Sequence, residues 1–200
     1  MHVCKKVIYC ISFIYFYYLA LIFGTRWTIF YNNDQFLLGA CFLLLGTIFF
    51  RKILVSDFKK IDFFKCIKIV TIFLTSIFLF FWMLSYLLFN QEIEINTSSF
   101  TWFSIVNALI FVPFIEEMVN RFCLICLTGS SLTKYGTLFL SSVLFSIGHQ
   151  TVLSSNFFMF WPFFVLGLYL GYIYVKTKNI WYSIIVHFVY NFIVLLVLLY

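Results

Sequence analysis

Seven long apolar stretches, separated by short polar ones, run through the whole chain. They lie at about residues 7 to 25, 31 to 50, 67 to 89, 101 to 127, 133 to 149, 157 to 175 and 180 to 199. An apolar stretch of about 20 residues is long enough to cross the hydrocarbon core of a bilayer as a helix. The pattern therefore predicts an all-α, polytopic membrane protein with seven transmembrane helices.

The composition agrees with a chain that is almost entirely in the membrane. Of the 200 residues, 64% are hydrophobic and 10% are charged, whereas about a quarter of the residues in a soluble domain are charged. The apolar stretches use nearly all of the chain, so we expect no separate soluble domain. We therefore interpret the net charge of +6 as a signal of how the helices are oriented in the membrane. The predicted partner is a lipid bilayer, and nucleic acid is excluded.

The basic residues predict which end of each helix faces the cytoplasm. With a cytoplasmic N-terminus, the inner segments hold eleven of the thirteen Lys and Arg residues, which are Lys5, Lys6, Arg51, Lys52, Lys59, Lys60, Lys65, Lys68, Lys134, Lys176 and Lys178. An excess of positive charge marks cytoplasmic segments. The chain is therefore predicted to run N-in and C-out. The first stretch lacks a good small-x-small cleavage site, and we expect it to remain as an anchor.

Ionisable groups at membrane depth are concentrated in the C-terminal half. The first three stretches contain almost none, while the fourth, fifth and seventh each contain at least one. We therefore divide the chain into residues 1–99, with helices one to three, and residues 100–200, where we expect the chemistry. Cys123-x-x-Cys126 lacks a second cysteine pair, so helix packing explains it better than redox or zinc chemistry.

The stretch FIEEMVNRF, residues 114–122, places three charged groups inside the fourth helix. Glu117 and Arg121 are four residues apart, and the acid precedes the base, which is the favourable order for an ion pair. Glu116 points about 100° away from Glu117, over Asn120 and near Pro113. It is the carboxylate left without a partner. Ionisable residues within a membrane indicate function unless they only join helices, and both interpretations are open from this stretch alone.

Two further sites carry histidine. His149 ends the fifth stretch, four residues after Phe145. A single histidine at a helix end is more often a solvated residue than a ligand. His187 and Asn191 share a face of the seventh helix, from which both can donate hydrogen bonds to one point. Such a pair can also simply join two helices. An acid, two imidazoles and a carboxamide from three helices are nevertheless the groups that a hydrolase needs.

These residues resemble the motifs of a known family. Glu116-Glu117-x-x-x-Arg121, Phe145-x-x-x-His149 and His187-x-x-x-Asn191 are similar to the EExxxR, FxxxH and HxxxN motifs of the CPBP intramembrane proteases. This family, also called Abi, includes type II CAAX prenyl proteases and relatives linked to bacteriocin self-immunity. The resemblance covers about residues 100 to 195 and includes Gly167 and Gly171, which in the family allow close helix packing. Residues 1–99 match only in being hydrophobic.

The resemblance implies a role for each motif residue. Glu116 and His149 would activate a water, His187 and Asn191 would stabilise the oxyanion, and Glu117 with Arg121 would hold the motif helix in place. A divalent metal such as zinc would need Glu116, His149 and His187 as ligands from three helices. A metal-free mechanism with Glu116 as the base is the other option. We favour the metal-free option, because Asn191 is better placed to pair with His187 as an oxyanion donor than to bind an ion.

The depth of each residue tests whether the motifs can meet. At 1.5 Å per residue, His187 lies about 10 Å, Glu116 about 17 Å and His149 about 22 Å from the cytoplasmic ends of their helices. The first two depths fit one chamber that opens towards the cytoplasm. His149 is too deep, so we expect its helix to begin after Thr133 or to be tilted.

The sequence thus predicts an intramembrane endopeptidase whose substrate is a membrane-associated peptide or protein. The alternative is a catalytically silent immunity factor or scaffold, and a transporter is disfavoured because no inverted repeat is visible. Richness in Phe, Ile, Tyr, Asn and Lys indicates an AT-rich bacterial genome. We therefore expect a multi-pass protein of the bacterial plasma membrane, with a role in bacteriocin maturation or self-immunity.

Overall fold

A computed structural model describes residues 3–26, 33–88, 101–149 and 160–199. These residues form seven helices and no strand: α1 Val3–Arg26, α2 Asn33–Phe58, α3 Phe63–Leu88, α4 Trp102–Cys123, α5 Ser131–Gly148, α6 Phe160–Thr177 and α7 Ile180–Leu199. Each helix overlaps one of the predicted apolar stretches. The prediction of an all-α polytopic membrane protein is confirmed.

Four helices in the described part of the chain are long and apolar enough to cross a membrane. The spanning segments are Phe36–Phe58, Phe63–Phe80, Trp102–Cys123 and Ile180–Val197. In α1 the described apolar segment, Val7–Leu19, is shorter. The count of seven crossings and the N-in, C-out orientation stay predictions.

The boundary between the second and third helices was predicted wrongly. We interpreted residues 51–65 as a polar connection, but α2 continues to Phe58 and α3 begins at Phe63. The charged Arg51 and Lys52 lie exposed on one side of the helix while Leu54 is buried on the other. Charged residues on one face do not end a helix when the opposite face is packed. The actual connection is four residues long.

Two interhelical turns are bound together at one end of the bundle. The side chain of Asn179, between α6 and α7, donates to the carbonyl of Asp57 at 2.7 Å. Next to it, Nε1 of Trp181 donates to the carbonyl of Leu54 at 2.8 Å, and the amide of Asp62 donates to the Tyr182 hydroxyl at 2.9 Å. The first two bonds are accepted by carbonyls near the end of α2, and the third connects the turn before α3 to α7. The two turns therefore share one end of the bundle, as the predicted topology requires.

The interior consists of two clusters that both contain residues of α5, α6 and α7. The first also joins α1, α2 and α4, and it includes Phe13, Phe50, Phe114, Met118 and Ile180, with Leu138 of α5 and Tyr174 of α6. The second joins α3, α5, α6 and α7, and it includes Phe73, Phe145, Leu170, Tyr182 and Val186. The polar motif residues of α4 and α7 are thus enclosed between two apolar clusters.

Glycines allow two pairs of helices to approach closely. A Cβ atom on Gly39 of α2 would lie 2.7 Å from the Phe111 ring and 2.8 Å from Oδ1 of Asn107, both in α4. A Cβ atom on Gly167 of α6 would lie 3.1 Å from Cα of Ser142 in α5, and one on Gly171 would lie 3.2 Å from side chains of Ile125 and Leu138. The predicted close packing at Gly167 and Gly171 is confirmed.

Candidate active site

Helix α4, which carries both glutamates, is not a regular α-helix. Its α-helical segments Trp102–Val106 and Val112–Glu117 alternate with π-helical turns at Asn107–Phe111 and Met118–Cys123. Pro113 explains the first π turn, because proline has no N–H and its ring collides with the carbonyl four residues earlier. A π turn widens the helix at that point, and such turns are frequent at functional sites. The two glutamates lie between the two π turns.

Asn191 of α7 compensates for the first π turn. The amide of Val112 donates to the carbonyl of Asn107, so Val112 does not supply the usual α-helical bond to Ala108. The next residue, Pro113, has no N–H to offer. Instead Nδ2 of Asn191 donates to the Ala108 carbonyl at 2.9 Å. In the second π turn, the hydroxyl of Ser141 donates in the same way to the carbonyl of Asn120.

Glu117 lies between two partners in the interior of the protein. Its Oε2 is 3.2 Å from Nε of Arg121, and both side chains are fully buried. Its Oε1 is 3.0 Å from Nδ1 of His187. The Arg121 guanidinium also lies over the ring of Phe145, 4.4 Å from the ring centre. The predicted Glu117–Arg121 pair is therefore present, and it extends across the helix interface to α7.

Glu116 faces the opposite nitrogen of the same imidazole. Its Oε2 is 3.8 Å from Nε2 of His187, and the Glu116 side chain keeps 13% of its surface exposed. The side chain of Asn120 donates to the backbone carbonyl of Glu116 at 3.0 Å. The two consecutive glutamates thus approach the two nitrogens of one ring. The buried Glu117 faces Nδ1 of His187, and the partly exposed Glu116 faces Nε2.

The environment of His187 fixes which nitrogen carries a hydrogen. An ionised carboxylate only accepts hydrogen bonds, so a bond between Glu117 and Nδ1 requires N–H at Nδ1. Nε2 then points towards Glu116. At 3.8 Å, Nε2 and Oε2 are too far apart for a good direct bond, but a water about 2.8 Å from each of them would form bonds to both. The site has the geometry to hold a water between an acid and an imidazole.

His149 lies at the end of α5, where it packs against two aromatic rings. Its Nδ1 is 2.9 Å from the Phe145 carbonyl, and its ring stacks on Phe163 at 4.0 Å. The Phe145 ring is 4.9 Å from the His149 ring and 6.0 Å from the His187 ring. Of the two explanations for the depth of His149, a helix that begins after Thr133 is wrong, and a tilted helix stays a prediction. The helix begins at Ser131, because the Ser130 hydroxyl caps the free amide of Thr133.

The described residues do not assemble the predicted metal-binding group. No set of three or more His, Cys, Asp and Glu side chains among them is arranged to hold an ion. Glu116 and His187 stand at one place, but a catalytic zinc site uses three protein ligands. These side chains therefore do not fit a zinc centre in this arrangement, and the proposed mechanism does not use a metal.

Sequence reasoning missed two contacts of the site. It did not predict that Nδ1 of His187 contacts Glu117 or that the Asn191 amide donates to the Ala108 carbonyl. It also paired Glu117 with Arg121 alone. The Glu117–His187 contact joins residues 70 positions apart, and spacing along one helix carries no signal for it. Pro113 is the one feature of the sequence that indicates an irregular helix here.

Comparison with known families decides the assignment of this half of the chain. Residues 97–193 match the family model described as type II CAAX prenyl endopeptidase Rce1-like. This segment is an Rce1-like domain. All three motifs of the Rce1-like domain, at residues 116–121, 145–149 and 187–191, lie inside the match. No curated protein and no solved structure matches the chain. The family that this model describes is one of CAAX-type intramembrane proteases.

Proposed function

We propose that this protein is an intramembrane endopeptidase that hydrolyses a peptide bond with a water activated by Glu116 and by histidine. The observation that supports it best is the approach of Glu116 and Glu117 to opposite nitrogens of His187. A carboxylate and an imidazole that share one water are the groups that general acid–base hydrolysis requires. The partial exposure of Glu116, beside the full burial of Glu117, makes Glu116 the carboxylate that reaches a substrate.

In this proposal Glu116 takes a proton from the water as its oxygen attacks the scissile carbonyl. Negative charge then develops on the carbonyl oxygen. An imidazole that donates from both nitrogens is positively charged, and the Glu117 carboxylate, which keeps its charge through this step, stabilises it. Its Nε2–H would donate to the oxyanion. As the C–N bond breaks, Glu116 returns its proton to the leaving amine, so that no proton is gained or lost.

Asn191 and His149 have supporting roles in the proposal. The Asn191 amide carries two hydrogens and gives one to Ala108, so the second can donate to the oxyanion. His149 has its Nδ1 at the Phe145 carbonyl, which fixes its ring and leaves Nε2 to position the water. Glu117 and Arg121 hold His187 and α4 and do not contact the substrate.

We propose a membrane-associated peptide or protein as the substrate. The site lies in helices that are apolar on their outer faces, so a substrate that arrives through or along the bilayer reaches it most directly. The amino-acid composition, which is typical of AT-rich bacterial genomes, favours a bacteriocin leader peptide over a prenylated protein as the substrate. The role would then be maturation of the bacteriocin or self-immunity. A bacterial plasma membrane is the corresponding location.

The deciding experiment compares the peptides of membranes that contain different variants. Membranes carrying the wild type, Glu116→Gln, or the control Asp62→Asn are incubated, and the peptides are identified by mass spectrometry. Asp62 is an exposed acid at the end of the bundle. We expect a set of product peptides with the wild type and with Asp62→Asn that is absent with Glu116→Gln. Equal product sets in all three membranes would instead favour the silent immunity factor or scaffold, which tolerates Glu116→Gln.

A further inference from the structure

Helix α6 carries none of the three motifs, yet it contacts one of the histidines of the candidate site. The ring of Phe163 lies nearly parallel to the imidazole of His149, with the ring centres 4.0 Å apart and 17° between the ring planes. Phe145, on the same helix as His149, meets the imidazole at a tilt of 55° and a distance of 4.9 Å. The imidazole is thus in contact with two aromatic rings, and the parallel one comes from another helix.

The start of α6 is attached to the end of α5 close to this contact. The Ser146 hydroxyl donates to the carbonyl of Phe160 at 2.7 Å, and these two residues each lie three positions before one of the stacked rings. Further along α6, Gly167 lies against α5, where a Cβ atom would be 3.1 Å from Cα of Ser142. These two contacts hold α6 against α5 and keep the stacked rings beside each other.

His149 follows the last residue of α5, and its backbone leaves the helix there. At φ −88° and ψ 33° it lies near the sparsely populated bridge region, where many active-site residues are found. Its Nδ1 is 2.9 Å from the Phe145 carbonyl. Since a carbonyl only accepts, Nδ1 carries the hydrogen and Nε2 keeps a free lone pair. This bond fixes one atom of the ring, whereas a parallel aromatic neighbour fixes the ring plane and with it the direction of the Nε2 lone pair.

We propose that Phe163 is a positioning residue of the candidate active site. Its ring holds the His149 imidazole in the plane in which Nε2 accepts a hydrogen bond from the attacking water. Phe163 itself touches neither the water nor the scissile bond. The catalytic part of this inference rests on the proposed function, in which His149 positions the water, whereas the stacking itself does not. Helix α6 then takes part in the site through one side chain, although it carries no motif.

The neighbouring Phe164 provides a matched control. Both phenylalanines are half-buried, so substitutions at either position should leave the fold intact. Successive side chains of a helix point about 100° apart, and the Phe164 ring packs against Phe139 at 5.5 Å and Phe160 at 5.7 Å. Phe163→Leu and Phe164→Leu therefore remove the same atoms from the same helix, but the first removes a ring that stacks on His149.

The stacking is tested first, by NMR of the full-length protein in detergent with labelled histidine. The chain contains three histidines, and the signals of His149 are assigned as those that are missing in His149→Gln. An aromatic face shifts the protons stacked over it upfield. Phe163→Leu should therefore move the ring signals of His149 downfield, and Phe164→Leu should leave them in place. Unchanged His149 signals in Phe163→Leu would overturn the proposal.

The positioning role is tested by the kinetics of a peptide that spans a Glu116-dependent cleavage site. Phe163→Leu should lower kcat about tenfold or more and leave KM within about twofold, since a misplaced water affects the transition state and not the bound substrate. Phe163→Tyr keeps the ring and should stay within about twofold of the wild-type kcat. Phe164→Leu should keep the wild-type kcat while its Tm falls about as far as that of Phe163→Leu, because both lose the same side-chain volume. Equal kcat values in the two leucine variants would overturn the positioning role.

The two measurements separate this inference from the proposed function. If Glu116→Gln retained full turnover, the proposed function would fail, and the NMR experiment would still decide whether Phe163 stacks on His149. If Glu116→Gln and His149→Gln lost turnover while Phe163→Leu kept it, the proposed function would stand and the inference would fail.

Discussion

Nδ1 of His187 lies 3.0 Å from Oε1 of Glu117, and neither side chain has more than 3% of its surface exposed. The contact joins the helix that carries the acidic motif to the last helix of the bundle. It also sets the direction in which Nε2 of His187 points, because the nitrogen that binds the carboxylate fixes the orientation of the ring. The side chain that determines how the imidazole faces Glu116 is therefore the second glutamate of the motif.

Replacement of the base should remove proteolysis without unfolding the protein. Glu116→Gln is nearly isosteric, and Oε2 of Glu116 makes no hydrogen bond to the described residues, so the fold should tolerate it. We expect turnover to fall by about 10²- to 10⁴-fold, with a similar loss in His149→Ala and His187→Ala. The rate of product formation and the Tm of each purified variant are measured together. Near-normal turnover in Glu116→Gln or Glu116→Ala would rule out the catalytic assignment.

Loss of one partner from the Glu117–Arg121 pair should destabilise the protein. Both side chains are fully buried, so Glu117→Ala or Arg121→Ala leaves an uncompensated charge and should cost about 3 kcal/mol or more. The double variant should cost less than the sum of the two single changes. Unfolding free energies in detergent provide the measurement. If Arg121→Ala kept its stability and lost only turnover, Arg121 would act on the substrate or the transition state.

Asn191→Ala should affect both stability and rate. It leaves the Ala108 carbonyl without its donor, which should cost about 1–3 kcal/mol, and it removes one oxyanion donor, which should lower kcat by about 10²- to 10³-fold. Residual activity should distinguish Asn191→Ala from the Glu116 variants, which lack the base. Pro113→Ala supplies a new N–H next to the π turn, so the stability cost of Asn191→Ala should shrink in that background. An unchanged cost would mean that Asn191 does not stabilise the π turn.

Gly39→Ala should destabilise the contact between α2 and α4. The added methyl group would meet Phe111 at 2.7 Å and Asn107 at 2.8 Å, and overpacking of this kind typically costs about 1–3 kcal/mol. Gly136→Ala is the matched control, because a Cβ atom there meets nothing within 4 Å. That change should be neutral or stabilising by up to about 1 kcal/mol. Tm values of the two variants in the same detergent test the contrast.

Removal of divalent metal should not stop proteolysis. The described residues do not bring three ligands together, and the proposed mechanism uses Glu116 itself as the base. We therefore expect thorough chelation to leave the rate unchanged and the purified protein to be active without bound metal. The check is elemental analysis combined with an activity assay before and after chelation. Stoichiometric metal that is lost together with activity and restores it on reloading would contradict this.

The sequence predicted those features that one helix or one apolar stretch contains. The ion pair of Glu117 and Arg121 was predictable because both residues lie on one face of one helix. The start of the last helix was predictable because a polar turn precedes it. Contacts between helices were not, since Glu117 and His187 lie 70 positions apart and only packing brings them together. The family motifs named the candidate residues of the site but not the partner of each side chain.

The errors of the prediction also have physical causes. The end of α2 was placed too early because Arg51 and Lys52 look like part of a connection, although packing on the opposite face continues the helix to Phe58. The start of α5 was placed after Thr133 to reduce the depth of His149, although the Ser130 hydroxyl caps the helix and begins it at Ser131. The π turns of α4 depend on Pro113 together with donors from α5 and α7, so no local pattern could have predicted both.

The π turns make the number of residues in α4 matter as much as their identity. A π turn holds one residue more than an α turn. Deletion of one residue from Asn107–Phe111 would return that turn to an α turn and leave the helix that follows close to its present rotation, because the extra residue is what the π turn accommodates. Insertion of one further residue has no such turn to accommodate it, and would rotate the helix that follows by about 100° relative to the helix before it. Glu116 and Glu117 would then face away from His187 with every side chain of the motif still present.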